Sequence, residues 1–281
     1  MLYHRSIFTF CPIAIKIHFG AFVPSPMKIL TIAKNTFREA VRDRILYNLI
    51  VFVLLIIACA ILLGDLTNGQ EVRTISNIGL NAILVFGVFI AIFTGVSLVS
   101  KEIEKRTVYA IFAKPVSRGE FIAGKYFGLL LTLLVNVAVM GFGLSLALLY
   151  VGGRDMAISV WPCIFLIFLE LAILTAVAVM FSSFSSPALS ALLTFFVFII
   201  GHLSSSLRDL AAGIGSKATI YFFEAVYYIL PNLALFSFRT ESANGLVPNS
   251  AMIFGGIAYA AIYSAILLTI TIMIFNRRNF K

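Results

Sequence analysis

The sequence predicts an all-α membrane protein that crosses the bilayer several times. Hydrophobic residues make up 61% of the 281 residues and charged residues only 12%, and the mean hydropathy is +1.04. A soluble domain carries about 25% charged residues, whereas a bilayer-spanning helix needs about 20 mostly apolar residues. Because backbone groups inside a bilayer must hydrogen-bond within the protein, helices suit such segments.

Six apolar segments approach this length, and we predict one transmembrane helix for each. They lie near 45–63, 78–99, 126–151, 158–181, 187–203 and 251–275. The fifth is short and the third is long, so we expect tilt or a kink in these two helices. All six belong to one membrane domain, which we place at 27–281.

The basic residues predict how this domain is oriented. Fourteen Lys and Arg residues lie in 27–44, in 100–125 and in the C-terminal tail. The opposite side has only five, namely Arg73, Arg154, Arg208, Lys217 and Arg239. Since cytoplasmic loops are enriched in Lys and Arg, both termini are predicted in the cytoplasm. This topology and attraction to anionic lipids explain the net charge of +9, which argues against nucleic-acid binding.

The first 26 residues have the basic start and apolar run of a signal peptide, but the likeness is incomplete. Lys16 and His18 interrupt the apolar run, and no small-x-small cleavage site follows it. Met27 opens a natural N-terminus, so we interpret 1–26 as a misassigned or disordered leader. Removing it should leave insertion and activity intact.

The chain from Lys28 predicts an amphipathic helix. Its apolar positions recur at helical spacing: Leu30, Ala33, Phe37, Val41 and Ile45. Such a helix lies in the membrane interface with its basic side among the lipid headgroups. The sequence leaves two roles open, a solvated anchor before the first span or an elbow helix that braces the membrane domain.

The segment 100–125, between the second and third spans, carries nine charges in 26 residues. A short apolar run at 107–113 predicts a two-turn helix that Pro115 ends. Ser117 and Glu120 have the spacing of a capping box that opens the next helix. The segment is either a topology anchor packed on its own bundle or a docking surface for a soluble partner.

Other motifs predict no catalytic site. The run from Gly119 to Tyr126 nearly spells a phosphate-binding loop, but Tyr126 replaces the Ser or Thr and the run already enters a membrane helix. Gly124 and Gly128 instead predict a small-residue face for close helix packing. The histidines and cysteines show no metal-ligand spacing. We therefore predict no enzyme activity, metal or cofactor.

Glu170, in the middle of the fourth span, is the main candidate for a functional polar group inside the membrane. Asn136 and His202 are weaker candidates. Such a group either lines a translocation path or makes a helix-to-helix hydrogen bond. Beyond the fifth span, the aromatic-rich stretch 217–230 predicts an interfacial or re-entrant helix, because a seventh span would move the basic tail to the other side.

The order of these features resembles the permease subunit of ABC-2 type exporters. The likeness rests on the opening helix, the sequence Ser-Lys-Glu-Ile-Glu-Lys-Arg-Thr from Ser100, and Lys-Pro-Val-Ser-Arg from Lys114, with Gly124-Lys125 closing the loop. The stretches 182–187 and 230–233 look similar to the multicopper-enzyme-maturation permeases. The resemblance covers nearly everything from Met27 onward.

The resemblance implies an export permease in the bacterial inner membrane. It implies a homodimer or heterodimer of permeases paired with two copies of a separate ATPase subunit. The loop after the second span would carry the coupling helix that fits a cleft in the ATPase. On this reading the coupling surface comprises Glu102, Glu104, Arg106, Tyr109, Phe112, Lys114, Pro115, Ser117 and Arg118.

Two other functions remain open at this stage. A secondary transporter would need paired intramembrane charges or broken helices at repeated positions, and the sequence shows one clear acid and no repeat. A membrane assembly or maturation factor, for example for a multicopper enzyme, would move nothing across the membrane. Stimulation of a neighbouring ATPase would separate the permease from the assembly factor.

Overall fold

The structure is a computed structural model, and it describes the chain in several stretches. These are 26–42, 44–64, 67, 69–104, 117–214, 224, 227 and 229–277. The predicted leader, the predicted helix at 107–113 and most of the stretch 217–230 therefore lie outside the described residues. Every regular element in the described part is helical, which confirms the all-α part of the predicted fold class.

Six long helices and four shorter ones make up the described architecture. In chain order they are α1 Pro26–Val41, α2 Arg44–Gly64, α3 Glu71–Glu104, α4 Arg118–Tyr150, α5 Arg154–Ser159, α6 Trp161–Ser182, α7 Pro187–Ile214, a 3-10 helix Leu233–Phe236, α8 Arg239–Ala243 and α9 Ser250–Arg277. The long helices run alternately between two ends of the bundle. We call them the Gly64 end, which also holds Tyr150 and Trp161, and the Ser117 end, which also holds Asn276.

Four membrane spans meet the requirement of length and composition within the described residues. They are Glu71–Ser97, Arg118–Tyr150, Arg154–Ser182 and Ser250–Asn276. The described apolar parts of α2 and α7 are shorter, at Val53–Leu62 and Pro187–Leu203. A helix thus occupies each of the six predicted positions, and four of the six are long and apolar enough to cross a membrane.

Helix α6 is the centre of the bundle. In its span, 78% of an 18-residue apolar stretch is buried, whereas in α9 only 22% of such a stretch is buried. Helices α3, α4, α7 and α9 all pack against α6, and Leu166, Ile167 and Leu171 are fully buried there. A polar side chain in the middle of α6 is therefore surrounded by protein.

Helix α1 packs along the start of α4 through the two glycines that the sequence singled out. A Cβ added at Gly124 would lie 2.7 Å from Ile32 Cβ, and one at Gly128 would lie 2.6 Å from the carbonyl oxygen of Ala33. This confirms the predicted small-residue face. On the predicted apolar face of α1, Leu30 is 71% exposed, whereas Ala33 of the same face is buried. The buried side chains of α1 are small, which allows the two helices to approach closely; they are Ala33, Thr36 and Ala40.

Candidate functional site

Three ionisable side chains from different elements meet inside the bundle, and we call them the Glu170 cluster: Glu170 in α6, His202 in α7 and Arg239 at the start of α8. His202 Nδ1 lies 3.5 Å from Glu170 Oε1, and Arg239 Nη1 lies 4.0 Å from Glu170 Oε2. Arg239 Nη2 lies 3.4 Å from His202 Nε2, so each member contacts the other two. The cluster joins α6, α7 and α8 through these polar contacts.

The Glu170 cluster is deeply buried and poorly hydrogen-bonded. The Glu170 side chain is only 1% exposed. Within the described residues, neither of its carboxylate oxygens has a hydrogen-bond partner, nor does His202 Nδ1 or Arg239 Nη1. These atoms attract one another electrostatically at distances longer than charge-assisted hydrogen bonds. In the same part of the chain no group of three or more His, Cys, Asp or Glu side chains could hold a metal ion.

Arg239 reaches Glu170 because the segment 229–249 folds back against the membrane helices. Phe236, three residues before Arg239, is fully buried. A Cβ added at Gly256 of α9 would lie 3.3 Å from the Phe236 ring and 3.5 Å from Leu166. Leu166 is one helical turn from Glu170 in α6. The segment therefore extends from the Gly64 end to about the middle of α6.

Hydroxyl groups fix the opposite side of this segment to α9. Tyr259 Oη accepts a hydrogen bond from the Asn232 backbone N–H at 2.9 Å. Tyr263 Oη donates to the carbonyl oxygen of Ile229, also at 2.9 Å. The segment is thus held between well-formed hydrogen bonds on α9 and long charge contacts on α6 and α7.

The three intramembrane candidates from the sequence have different surroundings. Glu170 and His202 come together, although 32 positions separate them in the chain. Asn136 is buried in α4, and its Nδ2 has no hydrogen-bond partner in the described part of the chain. No hydrogen bond or ion pair found there joins Asn136 to the Glu170 cluster.

Sequence reasoning missed Arg239 and treated it as one of the basic residues of an outer loop. A signal was present, because an acid in the middle of a membrane span requires a partner. Of the five basic residues on that side, Arg239 alone follows a Pro-Asn turn signal within an apolar stretch. A re-entrant segment would have carried it toward Glu170.

A second polar feature is a stripe along the exposed face of α3. Exposed residues recur every four positions: Arg73, Asn77, Asn81, Val85, Phe89 and Phe93. The two amides hydrogen-bond each other, with Asn81 Nδ2 donating to Asn77 Oδ1 at 2.9 Å. They line a cavity of about 390 Å³ between α2 and α3. Amides facing lipid would be unfavourable, which indicates that this stripe faces water or another protein surface.

At the Ser117 end the structure describes two of the nine predicted coupling residues in full. Glu120 N–H donates to Ser117 Oγ at 3.2 Å and Ser117 N–H donates to Glu120 Oε2 at 3.0 Å, which confirms the capping box. Arg118 Nη1 donates to the carbonyl oxygen of Phe275 at 2.5 Å, near the end of α9. A cation at a helix C-terminus satisfies carbonyls that lack intrahelical partners.

The remaining coupling residues are described only in part or not at all. Glu102 and Glu104 lie in the last turn of α3, where the structure describes their backbone but not their side chains. The others lie outside the described residues: Arg106, Tyr109, Phe112, Lys114 and Pro115. Their role stays a prediction.

Comparison with known proteins gives one family. The family model described as "ABC-2 family transporter protein" matches residues 30–280. The match begins inside α1 and runs past the end of α9, so it includes every long helix as well as the Glu170 cluster. Among curated proteins, none matches the chain.

Proposed function

Because the chain belongs to the ABC-2 transporter family, we propose that it is the permease subunit of an ATP-driven exporter and works with a separate ATPase subunit. The observation that carries this proposal is the family match over the whole membrane domain. The run from Gly119 to Tyr126, which comes nearest in sequence to a phosphate-binding loop, supports the assignment of ATP binding to a separate subunit. Gly124 of that segment lies inside α4 and is covered by Ile32 of α1, so a phosphate group has no access to it.

We propose six spans with both termini in the cytoplasm. Helix α1, with its basic residues, packs on the start of α4 at the Ser117 end, and the basic stretch 105–116 lies in sequence between the ends of α3 and α4; we therefore assign this end to the cytoplasmic side. The Gly64 end then faces outward and carries the 229–249 segment. Reporter fusions after Arg118 and Arg154 should read inside and outside, respectively.

The α3–α4 connection is the proposed coupling element. Its exit is rigid, because the capping box fixes the start of α4 and Arg118 ties that start to α9. Helix α1 packs on the next turns of α4 and serves as the proposed elbow. A push on residues 105–116 from two ATPase subunits would therefore reach α1, α4 and α9 together in each permease of a dimer.

The exposed stripe of α3 is the proposed lining of the export path. Its half toward the Gly64 end is polar, with Asn77 and Asn81, and its other half is aromatic, with Phe89 and Phe93. Such a surface offers hydrogen bonds and apolar contact to cargo. The similarity of 182–187 and 230–233 to multicopper-enzyme-maturation permeases suggests the class of client but does not identify the cargo.

Co-purification with a candidate ABC-type ATPase subunit tests the proposal. The chain should retain that ATPase and raise its turnover. Replacing Tyr109→Ala together with Phe112→Ala should weaken the association without preventing membrane insertion, because a buried apolar contact supplies most interface affinity. Full association and full ATP-dependent transport by this variant would contradict the coupling role.

One observation favours a second candidate function. The structure shows a pair of opposite charges inside the bundle, Glu170 and Arg239, and such pairs occur in secondary transporters. Transport into vesicles that is driven by an ion gradient without ATP would support this alternative. Dependence on ATP would support the permease.

A further inference from the structure

We propose that Glu170 and His202 hold Arg239 as an ionic latch, which keeps the 229–249 segment closed over the Gly64 end of the bundle. Release of Arg239 would let this segment move away from α6 and α7. The inference rests on the proposed function only in what the latch would control, the opening of an export path. The contacts of Arg239 themselves are observed among the described residues.

The geometry of the cluster is that of a releasable contact. Arg239 lies 4.0 Å from Glu170 Oε2 and 3.4 Å from His202 Nε2, and both oxygens of Glu170 lack hydrogen bonds in the described part of the chain. A buried ion pair contributes little net stability, because desolvation opposes the attraction, and apolar side chains can often replace it. The best-attested role of such pairs is to specify one arrangement among alternatives.

The position of Arg239 also suits a latch. Buried residues of the same segment flank it in sequence: Phe236 precedes it, and Ser242 and Ala243 follow it. Within the described residues, Arg239 makes an ion pair with Glu170 of α6 and a 3.4 Å hydrogen-bond contact with His202 Nε2 of α7. On the α9 side, the tyrosine hydrogen bonds would remain when the latch opens. The segment would then turn about its α9 attachment.

Close packing sets the closed position that the latch would hold. A Cβ added at Gly201, one residue before His202, would lie 2.7 Å from the carbonyl oxygen of Pro231 and 2.9 Å from the side chain of Leu233. Leu233 is fully buried, so the segment packs closely on α7 through an apolar side chain at that point. The contact of Arg239 with His202, one residue away on α7, adds a polar contact that selects this position.

Cys163 provides a native reporter of opening. It is a free thiol of α6 that is 0% exposed. It lies two helical turns from Glu170 toward the Gly64 end and within interaction range of Arg239 and Ser242 of α8. When the 229–249 segment moves away, this thiol should become reachable from the outside.

The experiment uses the full chain in intact cells, with Cys11→Ser and Cys59→Ser leaving Cys163 as the single thiol of three. The measurement is the rate at which a membrane-impermeant maleimide labels Cys163 from outside. We expect Glu170→Gln and Arg239→Gln each to raise this rate about tenfold, within the range of coupling energies in two-state switches. The double variant should add nothing further, since both changes remove one interaction.

Two matched variants sharpen the result. Arg154→Gln removes an exposed cation from α5 on the same side of the protein and should leave the labelling rate unchanged. The exchanged pair, Glu170→Arg with Arg239→Glu, restores opposite charges and should return the rate toward that of the parent. Exchange without any recovery would count against an electrostatic latch.

A second reporter distinguishes opening from unfolding. Ala176 is fully buried in the half of α6 toward the Ser117 end, and Ala176→Cys with Cys163→Ala places a thiol there. Latch opening should leave this thiol unlabelled in the same variants. The proposal is overturned if labelling of Cys163 does not change, or if both reporters become accessible together. Neither result involves an ATPase, so failure of the latch and failure of the permease assignment remain distinguishable.

Discussion

The two ends of the bundle are held together by different kinds of contact. At the Ser117 end the polar groups are satisfied, since Ser117 and Glu120 cap α4 reciprocally and Arg118 binds a carbonyl of α9. On the Gly64 side, where the 229–249 segment reaches about the middle of α6, Arg239 Nη1 lies 4.0 Å from Glu170, and neither oxygen of Glu170 has a hydrogen-bond partner among the described residues. Satisfied caps and close helix packing make a rigid unit that transmits motion. Buried charges that lack hydrogen-bond partners make a contact that can break and form again.

The largest expected effect is the loss of one member of the Glu170 cluster. Arg239→Leu leaves Glu170 buried without a counter-ion, which should destabilise the closed chain by about 3 kcal/mol. Glu170→Leu combined with Arg239→Leu should be less harmful than Arg239→Leu alone, because both charges are gone. Thermal unfolding midpoints in detergent measure this. A double variant that unfolds at a lower temperature than Arg239→Leu alone would contradict this prediction and show that both side chains stabilise the fold.

The next effect tests the rigid end at the contact of α1 with α4. Gly128→Ala places a Cβ 2.6 Å from the Ala33 carbonyl oxygen, which is backbone and cannot rotate away. We expect a loss of about 1–3 kcal/mol, typical of overpacking. Gly255→Ala is the control, because nothing lies within 4 Å of its added Cβ in the described residues. Equal unfolding midpoints for the two variants would contradict close packing of α1.

A smaller effect is expected at the cap of α4. Ser117→Ala removes the hydroxyl that accepts the Glu120 N–H, and loss of such a cap costs about 1 kcal/mol. Ser250→Ala serves as a control, since that hydroxyl contacts an exposed neighbouring side chain. The same unfolding assay applies. If Ser117→Ala changes stability no more than Ser250→Ala does, the start of α4 is not a rigid exit from the proposed coupling loop.

The sequence predicted best the features that depend on near neighbours. The capping box joins residues three positions apart, and the helix spans follow from runs of apolar residues, so both can be read locally. The close-packing glycines were also identifiable, because Gly124 and Gly128 lie on one face of one helix. Their partner was not, because the sequence does not show which side chains of α1 pack on α4; Ala33, Thr36 and Ala40 are the ones that are buried.

The Glu170 cluster depends on contacts that a sequence does not encode locally. Glu170 and Arg239 are 69 positions apart, and their contact requires the 229–249 segment to turn back between helices. Basic-residue counting assigns Arg239 to a side of the membrane but gives no depth. The acid was predicted as a functional candidate, whereas its partner required the fold.

We propose that ATPase action at the Ser117 end opens the Gly64 end. The most direct measurement is maleimide labelling of Cys163 from outside in vesicles that contain the chain and its ATPase. We predict faster labelling with ATP than without it, and no such increase in the variant carrying Tyr109→Ala and Phe112→Ala. Labelling that is equally slow with and without ATP would contradict this coupling between the two ends.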